Sequence, residues 1–311
     1  MADASPSPGR WAFRPLPPEP RSVVELIRAG TLDAQLAATL WLLIEARVPI
    51  VVAAEGHGAG KSTLLGALLD FLPPGIRTVE LSGADETFDW LPQAAELGWS
   101  APAGDGVAPR SARAGKAPLG SPPIQPSTTV LVAAELSDHL PSYTWGAEAR
   151  LAVRAVSVGY GLATTIHGDS LEDVFASLER PPVLLSEDEL SRLGVVVLLR
   201  ALGDGRRRVV AAHYVRPTAR DMHGHVQRLG PAVLATWDPG RDAFEHFGWG
   251  ITPELARRVG RAAGDFEIEV DRRRDHLLSL VAAGTTDDAA ARAAIQAYRP
   301  MVPFDAPRDD A

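Results

Sequence analysis

Residues 55–63 read Glu55-Gly56-His57-Gly58-Ala59-Gly60-Lys61-Ser62-Thr63. They stand between a strand-length apolar run, Val48 to Ala54, and a helical pattern from Lys61 to Phe71 that Pro73 and Pro74 stop. Strand, glycine-rich turn and helix in this order have the composition of a phosphate-binding loop. Glycines let successive backbone N–H groups turn inward onto an anion, and the helix N-terminus favours negative charge. Gly56, His57, Gly58, Ala59, Gly60, Lys61, Ser62 and Thr63 are therefore the candidate nucleotide-binding residues, with Lys61 reaching the β- and γ-phosphates and Ser62 ligating Mg²⁺. The pattern's first glycine is Glu55 here, which brings a carboxylate near the phosphates unless it points away. The alternative reading is a plain strand-to-helix turn.

Outward from this stretch, Ser22 to Gly30 and Asp33 to Ala46 carry helical patterns. Ile76 to Leu81, Thr129 to Ala134 and Leu162 to Ile166 read as buried strands, with a helix from Ala147 to Val158. The alternation predicts an α/β fold with a parallel sheet covered by helices. After Arg180 the pattern changes. Gly194 to Leu202 with Arg207 to Val215, and Ala232 to Asp238 with Ala243 to Phe247, read as two β-hairpins. A helix capped by Thr252 with Pro253 in its first turn, a second from Asp265 to Ala283, and a third capped by Thr286 complete a helical C-terminus. The expected organisation is a Pro-rich tail over 1–21, a core over 22–193 with a flexible loop at 101–127, and a β-hairpin and helical region over 194–311.

Composition narrows the function. The 311 residues contain no cysteine, which excludes a disulfide framework, a thiolate nucleophile and a zinc ribbon. A net charge of -8 argues against a nucleic-acid partner bound by bulk electrostatics. The longest largely apolar run, Leu36 to Ile44, is about half the ~20 residues that span a bilayer, and the N-terminal prolines interrupt any signal-peptide core. These readings predict a soluble, cytoplasmic protein. The lysines are Lys61 and Lys116 alone, every other basic residue being arginine, so a lysine at Lys61 stands out.

A second candidate is Glu135, which ends the apolar run Thr129 to Ala134. A strand lying beside the phosphate-loop strand would put this carboxylate at the carboxyl edge of the sheet near the metal, and a simple strand-capping role is the alternative. His167 follows another apolar strand, where a histidine is usually structural. His223, His225 and His246 lack a third ligand at motif spacing, and the runs Arg206 to Arg208 and Arg272 to Arg274 read as solvated faces or subunit contacts.

Together, Leu26-Ile27-Arg28-Ala29-Gly30-Thr31-Leu32, Leu40-Trp41-Leu42-Leu43-Ile44-Glu45, the glycine-rich loop, Phe71-Leu72-Pro73-Pro74, Glu135 and Gly159-Tyr160-Gly161-Leu162-Ala163-Thr164-Thr165-Ile166-His167 resemble the type II/type IV secretion and pilus assembly ATPases. The archaeal-type branch that includes archaellum motors looks closest. Leu178-Glu179-Arg180-Pro181-Pro182, Thr236-Trp237-Asp238-Pro239 with Asp242, Asp271-Arg272-Arg273 and Ala297-Tyr298 extend the resemblance. It implies a RecA-like P-loop sheet that binds ATP and Mg²⁺, with Ser62 and Glu135 on the metal and Glu135 and His167 as catalytic residues. It further implies self-assembly toward hexamers or assembly with a longer ATPase relative, and a membrane platform protein as partner at the inner face of the membrane. The work would be assembly or export of pilin-like subunits. The resemblance covers the catalytic domain only, without the family's N-terminal domain.

The departures are specific. Tyr160 replaces the first histidine of the histidine motif, and Ser137 replaces the arginine after the metal-side acid. The expected acidic pair falls on Ser82 and Gly83, with Glu80, Asp85 and Glu86 nearby. The loop at 101–127, containing Arg110 and Arg113, replaces an arginine-rich segment, and an insertion near Asp138 to Gly146 follows Glu135. These losses imply slow hydrolysis, or a non-hydrolysing regulatory or scaffold subunit that binds nucleotide.

Overall fold

The computed structural model describes residues 21–56, 58–100, 124–220, 222–223 and 225–300. His57, most of the 101–127 loop with Arg110 and Arg113, and all but the last residue of the expected tail lie outside them. The elements run α1 (Val23–Arg28), α2 (Ala34–Glu45), β1 (Ile50–Ala53), α3 (Lys61–Leu69), β2 (Arg77–Glu80), β3 (Thr129–Leu136), α4 (Gly146–Ala155), β4 (Gly161–Ile166), α5 (Leu171–Glu179) and α6 (Glu187–Leu190). The second half runs β5 (Val195–Ala201), β6 (Arg207–Tyr214), β7 (Ala219–Arg220), β8 (Val226–Gln227), β9 (Ala232–Asp238), β10 (Ala243–His246), α7 (Thr252–Arg258), α8 (Ala263–Ala282) and α9 (Asp288–Ala297).

Eight strands form one sheet in the order β10-β9-β6-β5-β1-β4-β3-β2, and β7 pairs with β8 apart from it. β5, β1, β4, β3 and β2 run parallel, while β6, β9 and β10 continue the sheet antiparallel. The fold is thus mixed α/β with a mostly parallel sheet. Both hairpins form, and they extend the main sheet, so residues on either side of 194 share it. The outer parallel order also differs from the expectation: β4 lies between β1 and β3, so the strand bearing Glu135 is one place removed from the phosphate-loop strand.

Alternating side chains cover both faces of the sheet, as expected for strands buried on two sides. Val52, Val130, Val195 and Val197 pack with α1, α2, α3, α7, α8 and α9 on one face. Val51, Ala53, Leu131, Ala133, Val196 and Leu198 pack with α4, α5 and α6 on the other.

Local polar groups fix the helix entries. Ser22 accepts from the Glu25 amide at 3.2 Å and Asp33 from the Leu36 amide at 2.8 Å, each satisfying a first-turn donor. Two expected caps are corrected. Asp287, one residue after Thr286, is the N-cap of α9 and accepts from the Ala290 amide at 2.8 Å. Thr252 is the first residue of α7, and its hydroxyl donates back to the Gly248 carbonyl at 3.5 Å.

The arginine runs are not simple solvated faces. Arg208 is buried and bridges to Asp242 at 3.0 Å, tying the β5–β6 hairpin to the β9–β10 hairpin. Hydrogen bonds from Arg208 and from the Trp237 indole hold the Asp242 carboxyl well below the usual carboxylate range. Arg273 is buried on α8.

Candidate functional site

The site follows from strand register. Ala53 of β1 pairs with Ile166 of β4, and Ile166 pairs with Leu136 of β3. The residue after Ile166 is His167 and the residue before Leu136 is Glu135, so parallel pairing delivers both to the edge where the chain leaves β1 for the glycine-rich loop. A cleft of about 560 Å³ opens there, lined by the loop, the start of α3, Glu135, Tyr143, His167 and the tip of the β5–β6 hairpin.

Gly56, Gly58 and Gly60 have φ of +81°, +75° and +99°, backbone that side-chain-bearing residues rarely adopt. At Gly60 space is also short, since a Cβ would come within 2.8 Å of Arg207 Cδ. Gly60 is the N-cap of α3 and supplies no side-chain cap, so the first-turn amides of Lys61, Ser62 and Thr63 keep their donor capacity at the positive end of the helix. Seven of the eight expected loop residues, Gly56, Gly58, Ala59, Gly60, Lys61, Ser62 and Thr63, line the cleft, and the eighth, His57, lies outside the described residues.

Lys61 and Glu135 are both buried, and Lys61 Nζ lies 3.3 Å from Glu135 Oε2. His167 Nε2 lies 3.0 Å from Glu135 Oε1, and His167 Nδ1 lies 3.5 Å from Lys61 Nζ. Ser137 Oγ donates to Glu135 Oε1 at 3.1 Å, and Thr165 Oγ1 to Glu135 Oε2 at 3.5 Å. A buried carboxylate requires such partners, because isolated charge is strongly disfavoured away from water. Burial, and then the Glu135 charge, push the Tyr143 phenol up from its ordinary value.

Three features escaped the sequence reading. Arg207 donates from Nε to the Ala59 carbonyl and from Nη2 to the Gly58 carbonyl, both at 3.0 Å, bracing the loop from outside. Arg206 lines the cleft and pairs with Asp204 at 2.6 Å and Asp242 at 2.8 Å. The segment after β3 folds back, with the Thr144 amide donating to the Glu135 carbonyl at 2.9 Å, and so brings Tyr143 to the cleft and His139 beside His167. An arginine run and an inserted loop were visible in the sequence, but nothing local said what they would touch.

The residues near the expected acidic pair are elsewhere. β2 is separated from β1 by β4 and β3, and Glu80, Asp85 and Glu86 do not line the cleft. Glu86 is buried and accepts from the Ser82 amide, the Phe88 amide and the Trp90 indole. Tyr160, in place of the first motif histidine, is buried with its hydroxyl 3.5 Å from Gln93. His246 pairs with Asp33 at 2.8 Å and links β10 to the start of α2.

Fold and site define an α/β protein in which a glycine-rich strand–loop–helix element, a buried lysine–glutamate pair and a histidine share the carboxyl edge of a mostly parallel sheet. No family model matches the chain. Two proteins of Methanocaldococcus jannaschii, both described as uncharacterized, are similar in sequence. MJ0900 is 23% identical over 265 residues, 84% of this chain and 45% of that protein. MJ1287 is 27% identical over 256 residues, 79% of this chain and 85% of that protein. Among solved structures, the VirB11 ATPase of the Brucella suis type IV secretion system matches at 21% identity and a TM-score of 0.37, over 62% of this chain and 56% of that one. The Legionella pneumophila ATPase DotB matches at 13% identity and a TM-score of 0.30, over 81% and 62%. This chain therefore spans less than half of MJ0900 and less than two thirds of either solved ATPase. No helix among the described residues is long and apolar enough to cross a membrane.

Proposed function

We propose that this chain binds MgATP in the cleft and hydrolyses it slowly. The observation that carries the reading is the convergence of Lys61, Glu135 and His167 on the uncapped N-terminus of α3 behind three positive-φ glycines. Charge supports it. Arg21, Lys61, Arg206 and Arg207 line the cleft, against Glu135 as its carboxylate among the described residues, which suits a polyanion.

On this reading the ammonium of Lys61 leaves Glu135 for the phosphates, which the loop amides also hold. Ser62 and the freed Glu135 offer hard oxygen donors of the kind Mg²⁺ prefers, and the ion would neutralise phosphate charge there. Glu135 orients the attacking water and His167 hydrogen-bonds the γ-phosphate end. Arg207 keeps the loop in its receiving shape. Ser137 carries no charge, and Glu135 has no second carboxylate beside it in the cleft among the described residues, so turnover is slow.

The resemblance extends the proposal to a secretion or pilus-assembly ATPase of archaeal type. It would act in the cytoplasm at the inner face of the membrane, assembled with copies of itself toward a hexamer or with a longer relative, and working through a membrane platform protein. The same two departures favour a second reading, a nucleotide-binding scaffold subunit without turnover. Steady-state phosphate release by wild type, Lys61→Ala and Glu135→Gln separates the two. We expect turnover below about 1 s⁻¹, the low end for enzymes, abolished in both variants. No release by wild type that still binds MgATP selects the scaffold. Activity surviving Glu135→Gln removes that residue from the chemistry.

A further inference from the structure

Glu135, His139 and His167 each offer one donor atom, and these atoms all lie within 4.8 Å of one another. The set crosses two elements and a loop: Glu135 sits on β3, His167 just past β4, and His139 on the folded-back segment between β3 and α4. The His139 and His167 rings meet edge to face with centroids 5.1 Å apart, and His167 Nε2 is 3.0 Å from Glu135 Oε1. Bonds of about 2.0–2.2 Å place the donors of a tetrahedral four-coordinate ion roughly 3.3–3.6 Å apart, so small rotamer shifts close the set. We propose that these three side chains form a binding site for a borderline divalent transition metal of the zinc class.

The donor chemistry selects the ion. Two imidazoles and one carboxylate suit Zn²⁺ or Co²⁺, whereas Mg²⁺ takes oxygen donors in octahedral geometry and keeps its waters. Glu135 is buried and His139 is exposed, so an ion enters from the His139 side and meets the carboxylate at the inner end. Lys61 Nζ, 3.3 Å from Glu135 and 3.5 Å from His167, is the electrostatic competitor. Removing its charge therefore tightens the metal.

The site shares Glu135 and His167 with the proposed nucleotide machinery. A metal held there withdraws both residues from MgATP, so the two ligands exclude one another. This consequence rests on the nucleotide reading, while metal binding itself does not.

Co²⁺ titration of the full chain without nucleotide, followed by visible d–d absorption and displacement by Zn²⁺, tests the site. We expect one Co²⁺ per chain with the intense band of a low-coordinate ion. His139→Ala should weaken binding at least about 30-fold without changing the metal-free melting temperature, and Lys61→Met should strengthen it. A band that survives His139→Ala, or no stoichiometric band in either wild type or Lys61→Met, overturns the proposal. A second arm follows a trace fluorescent ATP analogue with Mg²⁺, with and without Zn²⁺. Zn²⁺ should weaken analogue binding by wild type and leave His139→Ala unaffected. Equal Zn²⁺ effects on the two proteins overturn the exclusion. Intact His139-dependent Co²⁺ binding with no analogue bound by any variant supports the metal site and removes the nucleotide reading alone.

Discussion

The two ends of α3 each meet a buried ion pair, and the pairs differ in what surrounds them. At the N-terminus, Lys61 and Glu135 face an open cleft of about 560 Å³ beside glycines, uncapped amides and His167. Beyond the C-terminus, Phe71 stacks on Trp41 at 4.9 Å, and the guanidinium of Arg273 lies 4.7 Å from the Trp41 ring centroid and 5.5 Å from that of Tyr298. Arg273 Nε bonds Glu269 at 3.1 Å, its Nη2 pairs with Glu45, and the Tyr298 hydroxyl donates to Glu269 at 3.1 Å. A guanidinium bonded to two carboxylates and flanked by two rings is already committed to them. A charge at the wall of a polar cleft can exchange one partner for a ligand, and the proposed nucleotide site rests on that difference.

The largest effect is expected at the Arg273 end. Arg273→Ala should cost about 3–5 kcal/mol of stability in chemical denaturation, because it strands Glu269 and Glu45. Nucleotide affinity of the folded variant should stay within about twofold of wild type. A loss of affinity without a loss of stability would mean that this end also serves the ligand.

A smaller effect is expected at Asp70, which follows α3. Burial pushes its carboxyl up to about 6, against the pull of Arg292 at 2.7 Å. The folded protein thus holds this proton more tightly than the unfolded chain, whose Asp titrates near 3.9. Stability from this group is present at low pH and is lost as pH rises from about 4 to about 6, by roughly 2–3 kcal/mol. Asp70→Asn should therefore gain on wild type across that window, as read from denaturation midpoints at pH 4 and pH 7. A constant difference between the two proteins would show that Asp70 charges as freely folded as unfolded.

Gly60→Ala sharpens the other end. A left-handed backbone costs a non-glycine residue about 1–2 kcal/mol, and the new methyl must also displace Arg207. We expect a Tm lower by several degrees and weaker MgATP binding. An unchanged Tm would show that the loop relaxes freely and that Arg207 does not brace it.

The strands and part of the cleft end were legible in the sequence, and the Arg273 end was not. The short apolar runs of strand length marked β1, β3, β4 and the two hairpins, because strands buried on both faces need little long-range information. Glu135 and His167 were reachable because each directly adjoins such a run. The sequence did not say that β4 would insert between β1 and β3, or that both hairpins would extend the main sheet, since strand order is set by packing over the whole chain. It also hid which arginine of each run turns inward. Arg208 and Arg273 look like their neighbours until Asp242, Trp41 and Tyr298 are placed around them. His139 belonged to an insertion that no motif described, and only the fold brings it to His167.

On the proposed reading the cleft exchanges the Lys61–Glu135 pair for a nucleotide, and direct titration tests that exchange. Equilibrium binding of a fluorescent ATP analogue with Mg²⁺ should give micromolar affinity for wild type. Truncating one partner of a buried charge pair costs about 2–5 kcal/mol, so Lys61→Ala should bind on the order of a hundredfold more weakly while remaining folded. Equal affinity in the two proteins, or no binding by either, would show that Lys61 and the cleft do not hold a nucleotide in this way.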